Sequence, residues 1–364
     1  MSKTYMLITY LKFILIFFSY NFLYSENIEV LNVEKYQIDL STLEDKYLEN
    51  VDLGSGLVFK KRDRRGRPSF YILNSFYGPL NNFNDPASFN GAAIAELQFK
   101  GDKLKVKRFI PLSSEYKKNA SKKRRKKNGF IIDPEGLTVT KNKGFYVVEE
   151  SNPSILHFNK SGKLVNKFLK KDLPVILNQN EINRGLEGIS ILPNGNLLLL
   201  MQSLPKNHLS FIPVVKFDPK TKESEIYKIR TNDKETKLGG IQAIDENRFL
   251  FIYTRNNKSS IIISDLREVE DGFLKLKKIV NLSDYGWDYL KTEGITISED
   301  ANSIIISNDD ERRGANLWIF NLKESLLPWR FSEWLLFYSL IFIITFSFVF
   351  MFMAIFNKKK LINE

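Results

Sequence analysis

The chain has 364 residues, of which 54 are Lys or Arg and 42 are Asp or Glu, so its formal charge is +12. It contains no cysteine, which excludes disulfides, thiolate metal sites and cysteine nucleophiles. The positive charge favours contact with anionic surfaces or ligands, and a hydrophobic content of 43% is enough to build a sizeable core.

The first predicted element, residues 1–25, is a signal peptide or an N-terminal anchor. Lys3 and Lys12 give a basic start, and a short apolar run follows them, which is typical of a secretory signal. The run ends in Leu23-Tyr24-Ser25, a poorer cleavage site than an Ala-x-Ala sequence, so both alternatives stay open. Either one predicts that the body of the chain is exported.

Residues 28–325 form the predicted folded domain, whose organising feature is a repeated strand–turn–strand unit. In the clearest copy, residues 184–203, Asn194-Gly195 makes a tight turn between two apolar strands. A weaker copy begins at Gly54. The other copies are marked by glycines at steps of 52, 52 and 54 residues, namely Gly136, Gly188, Gly240 and Gly294. Repeats of this length predict an all-β fold, a β-propeller of five or six four-stranded blades.

A basic loop is predicted at residues 117–127, where eight of eleven positions are Lys or Arg. Like charges repel, so this run should be solvated. It is either a solubilising loop or an electrostatic contact with an anionic lipid, glycan or phosphate-containing ligand. Nucleic acid is not the expected partner, because the body is predicted to lie outside the cell and no nucleic-acid-binding module surrounds the run. The 80-residue step from Gly56 to Gly136, which contains the loop, leaves room for an extra blade.

Residues 334–356 are predicted to form a single transmembrane helix, and residues 357–364 a cytoplasmic basic tail. The stretch holds 23 uncharged and mostly apolar residues, against the ~20 that span a bilayer as a helix. Lys358, Lys359 and Lys360 follow it closely, so the positive-inside rule places the tail in the cytoplasm. The predicted location is the cell membrane, with a single pass and a periplasmic or extracellular body.

The repeats also predict a cluster of side chains at one end of the propeller. The start of one strand and the end of its antiparallel partner lie at the same end of a hairpin. Residues that open each repeat should therefore meet those that follow its second strand. The acidic residues placed there, which are candidate metal ligands, are Glu135, Glu149, Glu187, Glu293, Asp309 and Asp310. The candidates for binding a ligand beside them are Arg184, Arg255 and Gln202.

Crowded carboxylates repel one another unless a cation compensates their charge. Their hard oxygen atoms suit Ca²⁺ or Mg²⁺, and Ca²⁺ is the expected cofactor. Arginines nearby would suit a phosphate or carboxylate ligand. Two alternatives stay open: the glutamates hydrogen-bond neighbouring blades and lock the ring, or they act directly in acid–base catalysis. The sequence contains no G-x-S-x-G elbow, Walker loop, H-E-x-x-H or dinucleotide fingerprint, and no residue is assigned as catalytic.

The ordered repeat motifs resemble those of the family known as "esterase-like activity of phytase", the phytase-like propeller domain. The motifs are Asp133-Pro-Glu-Gly-Leu137, Asn183-Arg-Gly-Leu-Glu-Gly-Ile189, Gly240-Ile-Gln-Ala-Ile244 and Thr292-Glu-Gly-Ile295. The resemblance covers residues 50–322 and implies an extracytoplasmic β-propeller that hydrolyses esters or phosphate monoesters. The sequence departs from the pattern at Gly239, where an acidic residue is expected, and at Asn256, where Asp is expected. Both departures weaken the site on that side of the ring.

Two functions therefore stay open. The first is a membrane-anchored, extracytoplasmic phytase-like propeller that hydrolyses phosphate or carboxylate esters with the help of a metal. The second is a non-catalytic propeller that binds an envelope partner or an anionic polymer, with the acidic residues serving the structure. The fold does not decide between them, since function depends on the site.

Overall fold

The computed structural model describes residues 28–41, 51–74, 92–113, 132–179, 184–206, 210–231, 233–289, 291–309, 315–327 and 339. Apart from Ser339, four predicted elements lie outside these residues: the signal or anchor at 1–25, the basic loop at 117–127, the membrane span at 334–356 and the tail at 357–364. Among the described residues no helix has the length and apolar character needed to cross a membrane. The chain divides into two compact units, residues 1–324 and residues 325–364, and the strands belong to the first.

The described residues form twenty strands, which confirms the all-β prediction for this part of the chain. In chain order the strands are β1 (Val30–Asp39), β2 (Leu53–Arg62), β3 (Pro68–Asn74), β4 (Ala93–Lys100), β5 (Lys103–Pro111), β6 (Pro134–Val139), β7 (Phe145–Glu149), β8 (Ser154–Phe158), β9 (Leu164–Phe168), β10 (Leu186–Ile191), β11 (Leu197–Met201), β12 (Phe211–Phe217), β13 (Ser224–Arg230), β14 (Lys237–Ala243), β15 (Arg248–Arg255), β16 (Lys258–Glu270), β17 (Phe273–Asn281), β18 (Thr292–Ile297), β19 (Ser303–Asn308) and β20 (Asn316–Leu322). Three short 3₁₀ helices lie between strands, at Lys170–Asp172, Val175–Asn178 and Leu282–Tyr285.

The strands assemble into five four-stranded units, which we call blades. The first blade is β2–β5, the second β6–β9, the third β10–β13 and the fourth β14–β17. Within these blades, neighbouring strands in the chain pair antiparallel. The fifth blade combines β18–β20 with β1, which pairs antiparallel with β20.

The first strands of the blades contact one another in a closed cycle, β2 to β6, β10, β14, β18 and back to β2. This is the arrangement of a β-propeller, with these inner strands around the central axis. Because β2 contacts β6 directly, no further blade lies between them. Of the predicted five or six blades, the described residues therefore show five, and the weak repeat at Gly54 is the inner hairpin of the first blade.

The N-terminal strand joins the two ends of the ring. Val30 of β1 pairs with Leu322 of β20, so the outer edge of the fifth blade comes from the other end of the domain. The last residues of β1 then pair in parallel with Leu104 and Lys105 of β5, in the first blade. The sequence repeat did not predict this pairing, because it relates each strand only to its neighbours in the chain.

Apolar side chains fill the spaces between the blades. All five residues of β11, Leu197–Met201, are fully buried, since both faces of this strand pack against neighbouring blades. A short uninterrupted apolar run is what such a strand requires. Phe168 and Phe217 meet edge to face between the second and third blades, with 5.3 Å between ring centroids. The packed blades hold the inner strands in fixed positions around the axis.

Candidate acidic site at the propeller axis

One irregularity recurs at the start of the five inner hairpins, where the strand register shifts by a β-bulge. In the second, third and fifth blades the unpaired residue is a glutamate: Glu135, Glu187 or Glu293. A bulge leaves one residue out of the ladder and changes the direction of its side chain. The three glutamates thus share one backbone feature at the same end of the inner strands.

The glycine after the bulge is required by the close approach of neighbouring inner strands. A Cβ on Gly136 would lie 2.8 Å from the backbone nitrogen of Ile189, and a Cβ on Gly240 would lie 2.4 Å from the carbonyl oxygen of Glu293. No side chain fits in that space. The repeated Glu-Gly pair therefore combines an acid at the bulge with a bare backbone beside it.

The three bulged glutamates come together, as the repeat predicted. Single carboxylate oxygens of Glu135, Glu187 and Glu293 lie within 4.8 Å of one another. Glu135 also belongs to a second group with the same spacing, formed with Asp133 and Glu150. We refer to these five residues as the acidic cluster.

Burial is the main reason why the pKa values of the four glutamates of the acidic cluster are raised. Burial, together with the charge of Asp309, raises the pKa of Glu293 to about 8. Burial and a neighbouring aspartate raise the pKa of Glu150 to about 7. The pKa of Glu135 and the pKa of Glu187 are both raised well above the usual range, again by burial and then by the other acids of the cluster. At neutral pH the cluster therefore retains protons unless a cation takes their place.

Polar groups from neighbouring blades hold several of these carboxylates. Ser55 of the first blade donates to Glu293 Oε2 of the fifth at 3.3 Å. The backbone nitrogen of Gly185, which leads into the third blade, donates to Glu150 Oε1 at 3.3 Å. Gln202 Nε2 donates to Glu187 Oε2 at 3.0 Å, so the predicted ligand-binding residue Gln202 contacts the cluster. The bonds from Ser55 and Gly185 cross blade boundaries and give the cluster a structural role there, whereas the bond from Gln202 lies within the third blade.

Two lysines lie close enough to act on the cluster. The charge of Lys237 opposes, in part, the burial that raises the pKa of Glu150 and the pKa of Glu187. Lys291 Nζ lies 3.6 Å from Asp309 Oδ2, and Asp309 is the charge that acts most strongly on Glu293. The fourth blade, which lacks the glutamate, thus contributes a cation at the start of its inner strand.

The other predicted acidic residues have different positions. Glu149 accepts a hydrogen bond from the backbone nitrogen of Asn152 at 2.6 Å, within its own turn, and belongs to neither acidic group. Asp309 lies beside Glu293 but outside both groups. Asp310 lies outside the described residues.

The two predicted arginines meet on one segment at the rim of the cluster. Arg184 donates to the carbonyl oxygen of Lys234 at 3.4 Å, and Arg255 Nε donates to Asp233 Oδ2 at 2.7 Å. Residues 233–236 lead directly to Lys237, whose charge acts on Glu150 and Glu187 of the cluster. The arginines are therefore gathered on the side between the third and fourth blades.

Three residues of the site were not among the predicted set: Asp133, Glu150 and Lys237. Hairpin geometry places both Glu149 and Glu150 at the correct end of β7, and Glu149 was the predicted metal ligand. The turn after β7 determines which of the two joins the cluster. In this turn Glu149 accepts a hydrogen bond from Asn152, and Glu150 lies at the cluster. Asp133 precedes the bulge in the same repeat motif, so its position in the motif was the available signal.

The donor set fits a hard divalent cation. Both groups of the acidic cluster offer only carboxylate oxygens, the ligands that Ca²⁺ and Mg²⁺ prefer. Neither group contains the histidine or thiolate that would favour zinc. His157 is occupied in packing, stacked on Tyr146 with 4.4 Å between ring centroids. The residues present are therefore chemically compatible with Ca²⁺ or Mg²⁺, and Ca²⁺ as the cofactor stays a prediction.

Comparisons with solved structures give similar chains at low identity. A protein from Lactobacillus plantarum is 13% identical with a TM-score of 0.35; the match covers 66% of this chain and 61% of that protein, less than two thirds of its length. A streptogramin B lyase is 13% identical with a TM-score of 0.36, covering 80% and 98% of the two chains. A catalytically inactive virginiamycin B lyase from Staphylococcus aureus, with quinupristin, is 11% identical with a TM-score of 0.36, covering 79% and 99%. These values carry no argument about function.

The comparison with protein families is more informative. No curated protein matches the chain significantly. The family model described as "Phytase-like: Esterase-like activity of phytase" matches residues 81–312, which is more than half of the chain. This range contains all five residues of the acidic cluster and both arginines. The chain therefore belongs to the phytase-like family.

Proposed function

We propose that the chain is a membrane-anchored, extracytoplasmic hydrolase of phosphate or carboxylate esters, with the acidic cluster as its site. The observation that supports this most directly is the meeting of Glu135, Glu187 and Glu293 within 4.8 Å at the propeller axis. Three carboxylates at this spacing would hold a divalent cation, for which we propose Ca²⁺. Such a cation, when bound, polarises an ester oxygen and stabilises the charge that develops on it.

The residues of the chain supply the remaining parts of the site. Glu135, Glu187 and Glu293 would hold the cation, and Gln202 would orient Glu187 through its hydrogen bond. Arg184 and Arg255 would bind the anionic part of the substrate, because both contact the segment that leads into Lys237. Lys237 would compensate part of the negative charge on the same side.

The test is chelator-sensitive turnover by the full-length protein. An aryl phosphate and an aryl carboxylate ester are offered with Ca²⁺, with Mg²⁺ and after treatment with a chelator. We expect hydrolysis of at least one substrate that stops on chelation and returns with the cation. A preparation that binds Ca²⁺ but hydrolyses neither substrate under any of these conditions would contradict the enzymatic function and leave a metal-binding propeller.

The alternative is a non-catalytic propeller that binds an envelope partner or an anionic polymer. The observation in its favour is that cluster residues join blades through Ser55–Glu293 and Gly185–Glu150 hydrogen bonds. On this alternative, Ser55→Ala lowers the thermal midpoint of the chain, and neither Ser55→Ala nor chelation changes any turnover. The same substrates and conditions therefore separate the two functions.

Arg255→Ala is expected to raise the KM for the aryl phosphate about tenfold while kcat changes little, because the arginine contacts the substrate anion and not the reacting centre. The matched control is Lys258→Ala, which removes a cation from the other side of the same turn. KM should then stay at the level of the natural protein. Equal KM values for the natural protein and the Arg255→Ala variant would exclude Arg255 from the binding site.

A further inference from the structure

The charges of the propeller are distributed unevenly among its blades. The described residues of the first blade, 51–74 and 92–113, include eleven Lys or Arg and four Asp or Glu. Those of the fifth blade, 28–41, 291–309 and 315–324, include three Lys or Arg and eight Asp or Glu. Among the described residues, an excess of positive charge therefore lies on the first blade and an excess of negative charge on the neighbouring fifth blade.

The cations of the first blade are concentrated at one end of it. Arg67 donates to the carbonyl oxygen of Gly101 at 3.0 Å, which holds the β2–β3 turn against the β4–β5 turn. Arg64 and Arg65 lie in the first turn, Lys61 and Lys100 lie at the ends of the strands that lead into the two turns, and all four are exposed. Within the described part of the chain, no ion pair holds any of these four. We call these two turns the basic end.

Three other cations of the first blade differ from those of the basic end, because their charges are neutralised by a buried carboxylate. Lys60, Lys107 and Arg108 surround the buried carboxylate of Glu96, at 2.7–2.9 Å. These ion pairs stabilise the blade itself. The four cations of the basic end have no such role and leave their charge available to a partner.

The basic end lies at the opposite end of the propeller from the acidic cluster. Ser55, at the start of β2, contacts Glu293 of the cluster, whereas Arg62 at the other end of β2 enters the basic turn. Arg62 lies seven residue steps after Ser55 along the strand, which corresponds to roughly 23 Å. The β6–β7 turn of the second blade adds exposed Lys141 and Lys143 at this end.

The strand that leads out of the propeller ends on the same side. Ser303 pairs with Asn321, so β20 finishes next to the turn between β18 and β19, at the end that carries the β2–β3 turn. The sequence then continues towards the uncharged stretch at residues 334–356 after only eleven residues, 323–333. This connection extends at most ~40 Å, which keeps the basic end within reach of a bilayer entered by that stretch.

We propose that the basic end lies against an anionic bilayer surface and holds the acidic cluster on the side facing away from the membrane. The proposal rests on the membrane anchoring included in the proposed function. Juxtamembrane cations are attracted to the negative surface potential of a bilayer, within the Debye length of the solution. The cluster would then remain open to solutes while the propeller is held in one orientation.

The test uses single-cysteine variants, because the natural chain contains no cysteine. Asn142→Cys places a dye at the basic end, and Asn152→Cys places one at the end that carries the cluster; both positions are exposed. Each full-length variant is reconstituted into vesicles with a headgroup-labelled acceptor lipid, either neutral or containing anionic phosphatidylglycerol. We expect energy transfer from position 142 to exceed transfer from position 152 severalfold in anionic vesicles, and the difference to shrink in neutral vesicles or at high salt.

Charge reversal identifies the residues. The variant Lys61→Glu, Arg64→Glu and Arg65→Glu should remove the difference between the two labels. The matched control Lys170→Glu, Lys171→Glu and Lys258→Glu reverses three exposed lysines at the end that carries the cluster, and it should keep the difference. Equal transfer from both labels in anionic vesicles, or a difference that survives reversal at the basic end, would overturn the proposal.

Failure of the anchoring is recognised separately. A chain that is washed out of neutral vesicles by alkaline carbonate has no membrane span, and the anchoring part of the proposed function then fails. Sedimentation of that chain with anionic vesicles still tests the proposal. The proposal is supported if the natural chain and the control variant sediment with the vesicles and the basic-end variant does not. It is overturned if the natural chain does not bind the vesicles.

Discussion

Replacing Glu135, Glu187 and Glu293 together with glutamine is expected to abolish the stabilisation of the protein by Ca²⁺ and to reduce the pH dependence of its stability to the part that Glu149 and Glu150 cause. Glutamine keeps the size of glutamate and can still accept a hydrogen bond, but it has no proton to lose and binds a hard cation weakly. The stability of the natural protein should depend strongly on both pH and Ca²⁺.

The direction of the pH effect follows from the raised pKa values. In the unfolded chain these carboxyls lose their protons near pH 4.5, whereas the pKa of Glu150 is about 7 and that of Glu293 about 8 in the folded protein. Between these limits the unfolded state binds fewer protons, so the free energy of unfolding of the metal-free protein falls as the pH rises. Each pKa unit corresponds to about 1.4 kcal/mol, so the loss across the window amounts to a few kcal/mol. Below pH 4.5 this contribution is fully present.

Binding of Ca²⁺ should restore the free energy of unfolding that the metal-free protein loses at alkaline pH. A ligand that binds only the folded protein stabilises it by mass action, and its carboxylate ligands must be deprotonated. The Ca²⁺-induced rise in thermal midpoint should therefore be large near pH 8 and small near pH 5. Thermal melts of the metal-free and Ca²⁺-loaded protein at both pH values measure this directly.

The matched control is Glu149→Gln, next to the cluster but outside both acidic groups. Burial also raises the pKa of Glu149, so this variant should lose a part of the pH dependence and none of the response to Ca²⁺. A triple glutamine variant whose midpoint still rises with Ca²⁺ would show that the cation binds elsewhere.

Gly240→Ala is expected to destabilise the protein by about 3 kcal/mol, the upper range for overpacking. Its Cβ would lie 2.4 Å from the Glu293 carbonyl oxygen and 3.1 Å from the Ile295 nitrogen. Both are backbone atoms of the neighbouring inner strand, so the contact is relieved only by moving β18. Because Glu293 belongs to that strand, the affinity for Ca²⁺ should fall together with the stability.

The control for this substitution is Gly101→Ala. It distinguishes the cost of a steric clash at the new Cβ from the cost of placing alanine in a left-handed backbone conformation. Gly101 has a φ of +65° with open space around its Cβ position, so alanine there costs only the left-handed conformation, about 1 kcal/mol. Chemical denaturation and Ca²⁺ titration of both variants provide the comparison. If Gly101→Ala were as destabilising as Gly240→Ala, or if Ca²⁺ affinity were unchanged in Gly240→Ala, the close approach of the inner strands would not govern the site.

The inner strands could be predicted from the sequence because the same strand–turn–strand pattern recurs from blade to blade. Apolar runs joined by turns such as Asn194-Gly195 identify the hairpins, and the Glu-Gly pairs identify the bulges. The convergence of Glu135, Glu187 and Glu293 then follows from hairpin geometry alone. The sequence could not show why glycine follows the glutamate, since the neighbour of Gly136 is the backbone of Ile189, far along the chain.

The side chains whose positions could not be predicted accurately from the sequence are long or lie in turns. Arg255 extends away from its strand and binds Asp233, a partner that depends on the course of the loop before β14. Glu149 and Glu150 are equivalent in the repeat, and only the turn after β7 distinguishes them. The membrane span, the basic loop and Asp310 stay predictions, because they lie outside the described residues.

The pairing of β1 with β20 has a consequence for how the protein is made. Val30 leaves the ribosome long before Leu322, its partner in the fifth blade. The part of β1 that pairs with β20 must therefore wait for its partner while the chain for the intervening blades is synthesised. Contacts between such distant positions make folding slow, and until they form, the edge of β20 is open to pairing with another chain. The circular architecture that fixes the acidic cluster thus makes newly synthesised chains depend on protection from aggregation until the last blade is complete.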